Sequence, residues 1–181
     1  MHPWHGAKKE AVIEHFAQRS GTPPGDVEVR VTQVGDAFTT MIQEVYFDKD
    51  AKISLIDPSL FTFFDTLRSN GVKVALNTGY PPEIQQSLIE HLGFGPHIDG
   101  YISAYQVTHG RPYPYMVHQL MERLEIDDVR TVAKAGDSVR DMEEGKNAGC
   151  GLVIGVLSGA DSSEALHAAG ADVVIDCVVN I

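Results

Sequence analysis

Lys134-Ala135-Gly136-Asp137-Ser138-Val139-Arg140-Asp141-Met142-Glu143-Glu144-Gly145, continuing to Asn147-Ala148-Gly149, is the stretch that decides the fold. The run Arg130 to Ala135 reads as a strand that delivers Asp137 at its carboxyl end. Asp141 follows one helical turn later, so both carboxylates leave the same strand-to-helix junction. Carboxylates so placed suit a shared Mg²⁺ ion, one directly and one through water, because Mg²⁺ takes oxygen ligands and keeps several waters. The same spacing also suits a helix start, with Asp137 as cap and Asp141 as a favourable first-turn acid. Lys134 and Ser138 are the supporting polar groups, Lys134 by its charge toward Asp137.

Outward from this junction, short apolar strands alternate with amphipathic helices. Strands are predicted at Val72 to Leu76, Gly100 to Ser103, Leu152 to Leu157 and Asp172 to Asp176. Helices are predicted at Glu83 to Leu92, Pro114 to Leu124, Asp141 to Ala148 and Ser162 to Ala169. That alternation specifies an α/β fold with a Rossmann-like parallel sheet covered on both faces, whose chemistry gathers at the strands' carboxyl ends. The first third is helical instead. Lys8 to Arg19 carries Ala11, Val12 and Phe16 and stops at Gly21 and Pro23-Pro24. Val34 to Phe47 carries Val34, Phe38, Met41, Ile42 and Val45. Asp57-Pro58 opens a third helix that ends at Gly71. The expected division is a helical region over 1–54 and an α/β core over 55–181.

The 181 residues carry 14 basic and 25 acidic side chains, a net charge of −11. Nucleic acid or an anionic membrane would be repelled by that balance. No apolar run is long enough to span a bilayer, and Met1 to Lys9 holds no apolar block of a secretory signal. Cys150 and Cys177 lie in apolar surroundings without paired spacing, as expected of reduced residues in a cytoplasmic protein.

Two further polar clusters follow strands or precede helices. Asn77-Thr78-Gly79-Tyr80 offers a hydroxyl and free backbone N–H groups able to hold phosphoryl oxygens, or else an ordinary turn with Thr78 as helix cap. Thr108-His109-Gly110-Arg111-Pro112-Tyr113-Pro114 presents Arg111 as a cation suited to paired phosphate oxygens.

Taken in order, the three clusters resemble the haloacid dehalogenase superfamily of phosphohydrolases. Thr78 falls on its second motif, Arg111 on the basic third, and Asp137 with Asp141 on the acidic fourth. Thr78-Gly79-Tyr80, Gly110-Arg111-Pro112 with Pro114-Tyr115-Met116, and the Gly136 to Gly149 stretch are similar to phosphonoacetaldehyde hydrolase and its phosphonatase-like relatives, as is the tail from Gly155 to Ala160 and Gly170 to Asp172. The resemblance implies Mg²⁺ as cofactor and a small phosphorylated or phosphonate substrate. It implies phosphoryl binding by Thr78 and Arg111, with Gly79 and Tyr80 facing the substrate. It also implies that a helical cap lysine forms a Schiff base with an aldehyde substrate. Lys9 is the best positional match and Lys8 the alternative, while Val12 stands where a histidine is expected.

The same resemblance implies a nucleophilic aspartate, in an Asp-x-Asp pair, at the end of a first strand preceding the cap. Residues Met1 to about Ala51 match the cap, so that strand is expected before Met1 and the core is expected to lack it. Asp48-Lys49-Asp50 is the one Asp-x-Asp present, but Ala51 and Lys52 replace the Gly-Thr expected next, and a charged turn explains it better. Two functions follow. One is Mg²⁺-dependent cleavage of a phosphonate or small phosphomonoester; the other is an inactive truncated relative with a binding or assembly role. A gap at the first strand would have to be closed by strand re-pairing or a partner chain, a homodimer included, or else leave the fold poorly stable.

Overall fold

The computed structural model describes residues 8–48, 51 and 53–181. His5 to Ala7, and Lys49 and Asp50 of the Asp-x-Asp, lie outside the described residues. Helices α1 (Lys9–Arg19) and α2 (Val27–Phe47) pack against each other at the amino-terminal end. α2 starts seven residues before the predicted Val34, because half-buried Val27 and Val31 extend the apolar stripe backward at helical spacing. Next come α3 (Leu60–Ser69), β1 (Ala75–Thr78), α4 (Pro82–Leu92), β2 (Gly100–Ser103), α5 (Tyr115–Arg123), β3 (Ala133–Gly136), α6 (Val139–Ala148), β4 (Leu152–Val156), α7 (Ser163–Ala168) and β5 (Val173–Ile175). The predicted α/β alternation is present, with boundaries moved by up to three residues.

All strand pairs are parallel, but the strands form two sheets rather than one. β1 pairs with β2, placing Thr78 opposite Ser103, and β3-β4-β5 form the other sheet. Among the described residues no strand pairs β1 with β3. Side chains bridge the two sheets instead: Lys134 on β3 donates to Asn77 Oδ1 on β1 at 2.9 Å, and Arg111 Nη2 donates to the Asn77 carbonyl at 2.9 Å. A carbonyl on a strand edge needs such a donor when water is kept away.

Each sheet has its own core. Val117, Met142, Cys150, Val153 and Leu166 pack beneath β3 and β4, while Leu60, Phe64, Val74, Ile89 and Ile98 pack against the β1 side. Fully burying a side chain such as Met142 or Leu166 contributes roughly 1.5–3 kcal/mol. Both cysteines are free, and Cys150 is part of that first core. No described helix is long and apolar enough to cross a membrane.

Asp99 fixes where β1 begins. It accepts from the Val74 amide at 2.9 Å and from Arg68 Nε at 3.1 Å and Nη2 at 3.2 Å. Burial pushes its carboxyl up, but the Val74 amide and the Arg68 guanidinium outweigh this and hold it below the ordinary range. Its side chain is 13% exposed. Asp99→Ala is expected to destabilise the chain by about 2 kcal/mol, measured by urea denaturation. Because the folded pKa is depressed, the contribution is present above the unfolded value of about 3.9 and lost as pH falls through the folded one. The gap between parent and variant should therefore close in acid.

Candidate functional site

The carboxyl ends of β1 and β3 carry the polar clusters. Thr78 does not cap α4, whose N-cap is Pro81; its Oγ1 accepts from the Tyr80 amide at 3.2 Å and holds the turn through Gly79. The Thr78 hydroxyl proton is thus left to donate. Asp137 does not cap α6 either. Ser138 is the cap, its Oγ accepting from the Asp141 amide at 3.3 Å and donating to Asp141 Oδ2 at 2.6 Å. Asp137 is held from the opposite side, by the loop after β4. The Ala160 amide donates to its Oδ2 at 2.9 Å, and the Asp161 amide donates to its carbonyl at 3.0 Å.

Between the two sheets lies a buried quartet of two cations and two anions. Arg111 Nε lies 3.1 Å from Asp141 Oδ1 and 3.3 Å from Glu144 Oε2. Lys134 Nζ lies 2.9 Å from each of those carboxylate oxygens. Asn77 joins them, donating from Nδ2 to Glu144 Oε2 at 2.9 Å. Burial pushes the Asp141 carboxyl up, but Arg111 and Lys134 outweigh it and hold it well below the ordinary range. Burial likewise opposes the Arg111 charge, and Asp141 and Glu144 more than restore it. The Arg111–Pro112 peptide is cis, and Asn147 Nδ2 ties this loop to α6 through the Pro112 carbonyl at 2.8 Å.

Two expectations change here. Lys134 was expected to support Asp137; its three donors go to Asp141, Glu144 and Asn77. Asp141 was expected to reach a metal through water, but Oδ1 is taken by Arg111 and Lys134 and Oδ2 by Ser138. The reason is steric as much as electrostatic, since Gly136 has no Cβ and lets the Asp141 side chain lie flat against β3. Of the two aspartates, Asp137 keeps an oxygen, Oδ1, without a hydrogen bond among the described residues, and no described cluster of three His, Cys, Asp or Glu could enclose a metal. One carboxylate oxygen with waters and a phosphoryl oxygen still satisfies what Mg²⁺ requires.

Lys9 and Lys8 point to different surroundings. Lys8 pairs with Glu10 at 2.9 Å and lies over the Tyr105 ring, 4.6 Å from its centroid. Lys9 lies 5.8 Å from the Tyr80 ring and 5.9 Å from the Phe38 ring. Burial, helped by the nearby Arg111 charge, lowers its pKa from the ordinary lysine value. Tyr80 meets Tyr46 of α2, their hydroxyls sharing a hydrogen bond at 2.9 Å.

Asn77, Glu144, Tyr46 and the Gly159-Ala160 turn had been given no role. Glu144 has a sequence signal, since a glutamate three residues after Asp141 lies on the same helix face. Tyr46 has none, because only tertiary packing brings it to Tyr80.

Residues 6–149 match the haloacid dehalogenase-like hydrolase family, and the chain belongs to that family. Within it, the chain falls in the phosphonatase-like branch. A phosphonoacetaldehyde hydrolase from Syntrophobacter fumaroxidans is 30% identical over 154 residues, covering 83% of this chain and 53% of the relative. One from Bacillus cytotoxicus is 36% identical over 97 residues, covering 52% of this chain and 36% of the relative. The chain thus spans about half the length, or less, of these curated relatives. The crystal structure of a phosphonoacetaldehyde hydrolase-like protein from Oleispira antarctica superimposes with a TM-score of 0.76 at 25% identity, covering 97% of this chain and 73% of that one.

Proposed function

We propose that this chain supplies the phosphoryl-binding and amine-bearing part of an Mg²⁺-dependent hydrolase acting on a small phosphonate aldehyde or phosphomonoester. The observations that support the reading are Thr78 and Asp137 at the ends of β1 and β3, Arg111 bound to Asn77 beside Thr78 with the charge of Asp137 acting on it, and a Lys9 amine of lowered pKa facing Tyr80. The Thr78 hydroxyl and Gly79 amide donate to phosphoryl oxygens, and Arg111 supplies fixed positive charge. Asp137 offers one oxygen to Mg²⁺, which when bound neutralises charge on the phosphoryl group. A partly neutral Lys9 amine suits attack on an aldehyde carbon. Residues 1–54 serve as the cap and 55–181 as the core, with α1 and α2 lying over the site. Asp48 ends α2 rather than a strand, so the nucleophilic aspartate implied by the resemblance has no counterpart among the described residues.

The test is Mg²⁺-dependent phosphate release from phosphonoacetaldehyde and a panel of phosphomonoesters, with Asp137→Asn as control. The expected result is release that disappears in the control and on chelating the metal, with the nucleophile coming from outside the described residues. Release no greater than the control's would overturn the catalytic reading and favour a binding or assembly role.

A further inference from the structure

Tyr80 is tied to the core through its backbone, its amide donating to Thr78 and its carbonyl accepting from Ser103 Oγ. Its side chain is tied to α2. Besides the hydroxyl contact with Tyr46, the Tyr46 and Tyr80 rings meet edge to face at 6.2 Å, and Phe38, two turns earlier on α2, lies 6.3 Å from Tyr80. Phe38 and Tyr80 are the two rings that face the Lys9 amine. A phenol on a turn can rotate away from its neighbours unless something holds its far end. The Tyr46 hydroxyl does so here.

We propose that Tyr46 is a positioning residue: by holding the Tyr80 hydroxyl, it fixes the Tyr80 ring as a wall of the Lys9 site and so keeps water from the amine. The inference rests on the reading of Lys9 as the amine that meets a substrate carbonyl. The charged and titratable groups around the site are Arg111 from the loop before α5, Tyr80 and Tyr46, Asp137, whose charge reaches Tyr80, and Lys8 with Glu10, which pair together. Ring faces at nearly 6 Å attract an ammonium weakly, whereas excluding water disfavours it more strongly. Burial is accordingly the largest cause of the lowered Lys9 pKa. Freeing the Tyr80 ring should therefore make Lys9 behave more like an exposed lysine.

The experiment is reductive alkylation of the intact chain with acetaldehyde and cyanoborohydride across roughly pH 6 to 10, which brackets the lysine range. Each lysine amine adds to the aldehyde and loses water to give an imine. The reagent's hydride reduces the imine to N-ethyl-lysine, which is counted site by site by peptide mass spectrometry. In the parent, Lys9 is expected to react at lower pH than Lys73, whose side chain is 51% exposed. Tyr46→Phe should move the Lys9 profile to higher pH and erase its preference over Lys73. Tyr80→Phe breaks the same hydrogen bond from the core side, so the double variant should shift no further than Tyr46→Phe alone. A parent without Lys9 preference would sink the reading of Lys9 itself. Preference that persists unchanged in Tyr46→Phe, or shifts that add in the double variant, would overturn the role of Tyr46 alone. Should circular dichroism show Tyr46→Phe to be unfolded, Tyr80→Phe decides by the presence or absence of the same shift.

Discussion

Glu144→Ala is expected to destabilise the chain by about 3–5 kcal/mol, because it leaves buried charge without its partner. Glu144 is 0% exposed, and its Oε2 receives Lys134, Arg111 and Asn77 together. Removing it leaves the two buried cations of the quartet with one of their two carboxylate partners, Asp141, and takes away the acceptor of the Asn77 amide. The same residues bridge β1 and β3, so the loss also loosens the contact between the two sheets. Its other oxygen, Oε1, has no partner among the described residues, so the quartet has no spare contact to replace a lost one. Glu144→Gln keeps the volume and an acceptor while leaving one uncompensated positive charge, and should fall between parent and alanine. Glu143→Ala, one residue away on the same helix, serves as the control and should stay within about 0.5 kcal/mol. Urea midpoints measure all three, and a Glu144→Ala midpoint equal to that of Glu143→Ala would refute the quartet's structural role.

The quartet also sets the response to acid. Asp141 has a depressed folded pKa, so its contribution is present above the unfolded value of about 3.9 and disappears only as pH falls through the folded one. The bridge between the sheets should accordingly survive mild acid.

Gly159→Ala is expected to lower Mg²⁺-dependent turnover about 100-fold or more while moving the melting temperature little. A Cβ at Gly159 would run into the Asp137 carboxylate, whose Oδ2 is held by the neighbouring Ala160 amide. The carboxylate must swing aside or the loop must lift, and either change misplaces the Asp137 oxygen that the proposed Mg²⁺ would take. Misplacement of a reacting or positioning group by about 1 Å can reduce rate about 100-fold. Steady-state phosphate release over an Mg²⁺ titration is the measurement. A variant with parental turnover and metal dependence would show that Asp137 does not need this loop.

Much of this was legible in the residues. Strand-length apolar runs separated by helical stripes dictate an α/β fold, and Asp137 and Thr78 sit at strand ends because local pattern places them there. Burial, in contrast, is decided by what packs from elsewhere. Asp141 read as a metal ligand and Lys134 as electrostatic support for Asp137. They turned out to be partners in one buried ion cluster, because Glu144 and Arg111 reach them from α6 and from a loop distant in sequence. Position within the motif already favoured Lys9 over Lys8, but that Lys9 meets Phe38 and Tyr80 depends on how α1 packs.

By itself the sequence determined the fold class and the order of the elements, since hydrophobic period and turn chemistry act over a few residues, and its three polar clusters carried the resemblance that pointed to the family. Only the tertiary structure decided the pairing of the buried charges and the tie from Tyr46 to Tyr80. Asn77 with Lys134, Arg111 with Glu144 and Tyr46 with Tyr80 are each more than thirty positions apart, and a charge or hydroxyl finds such a partner only once the chain has folded back on itself.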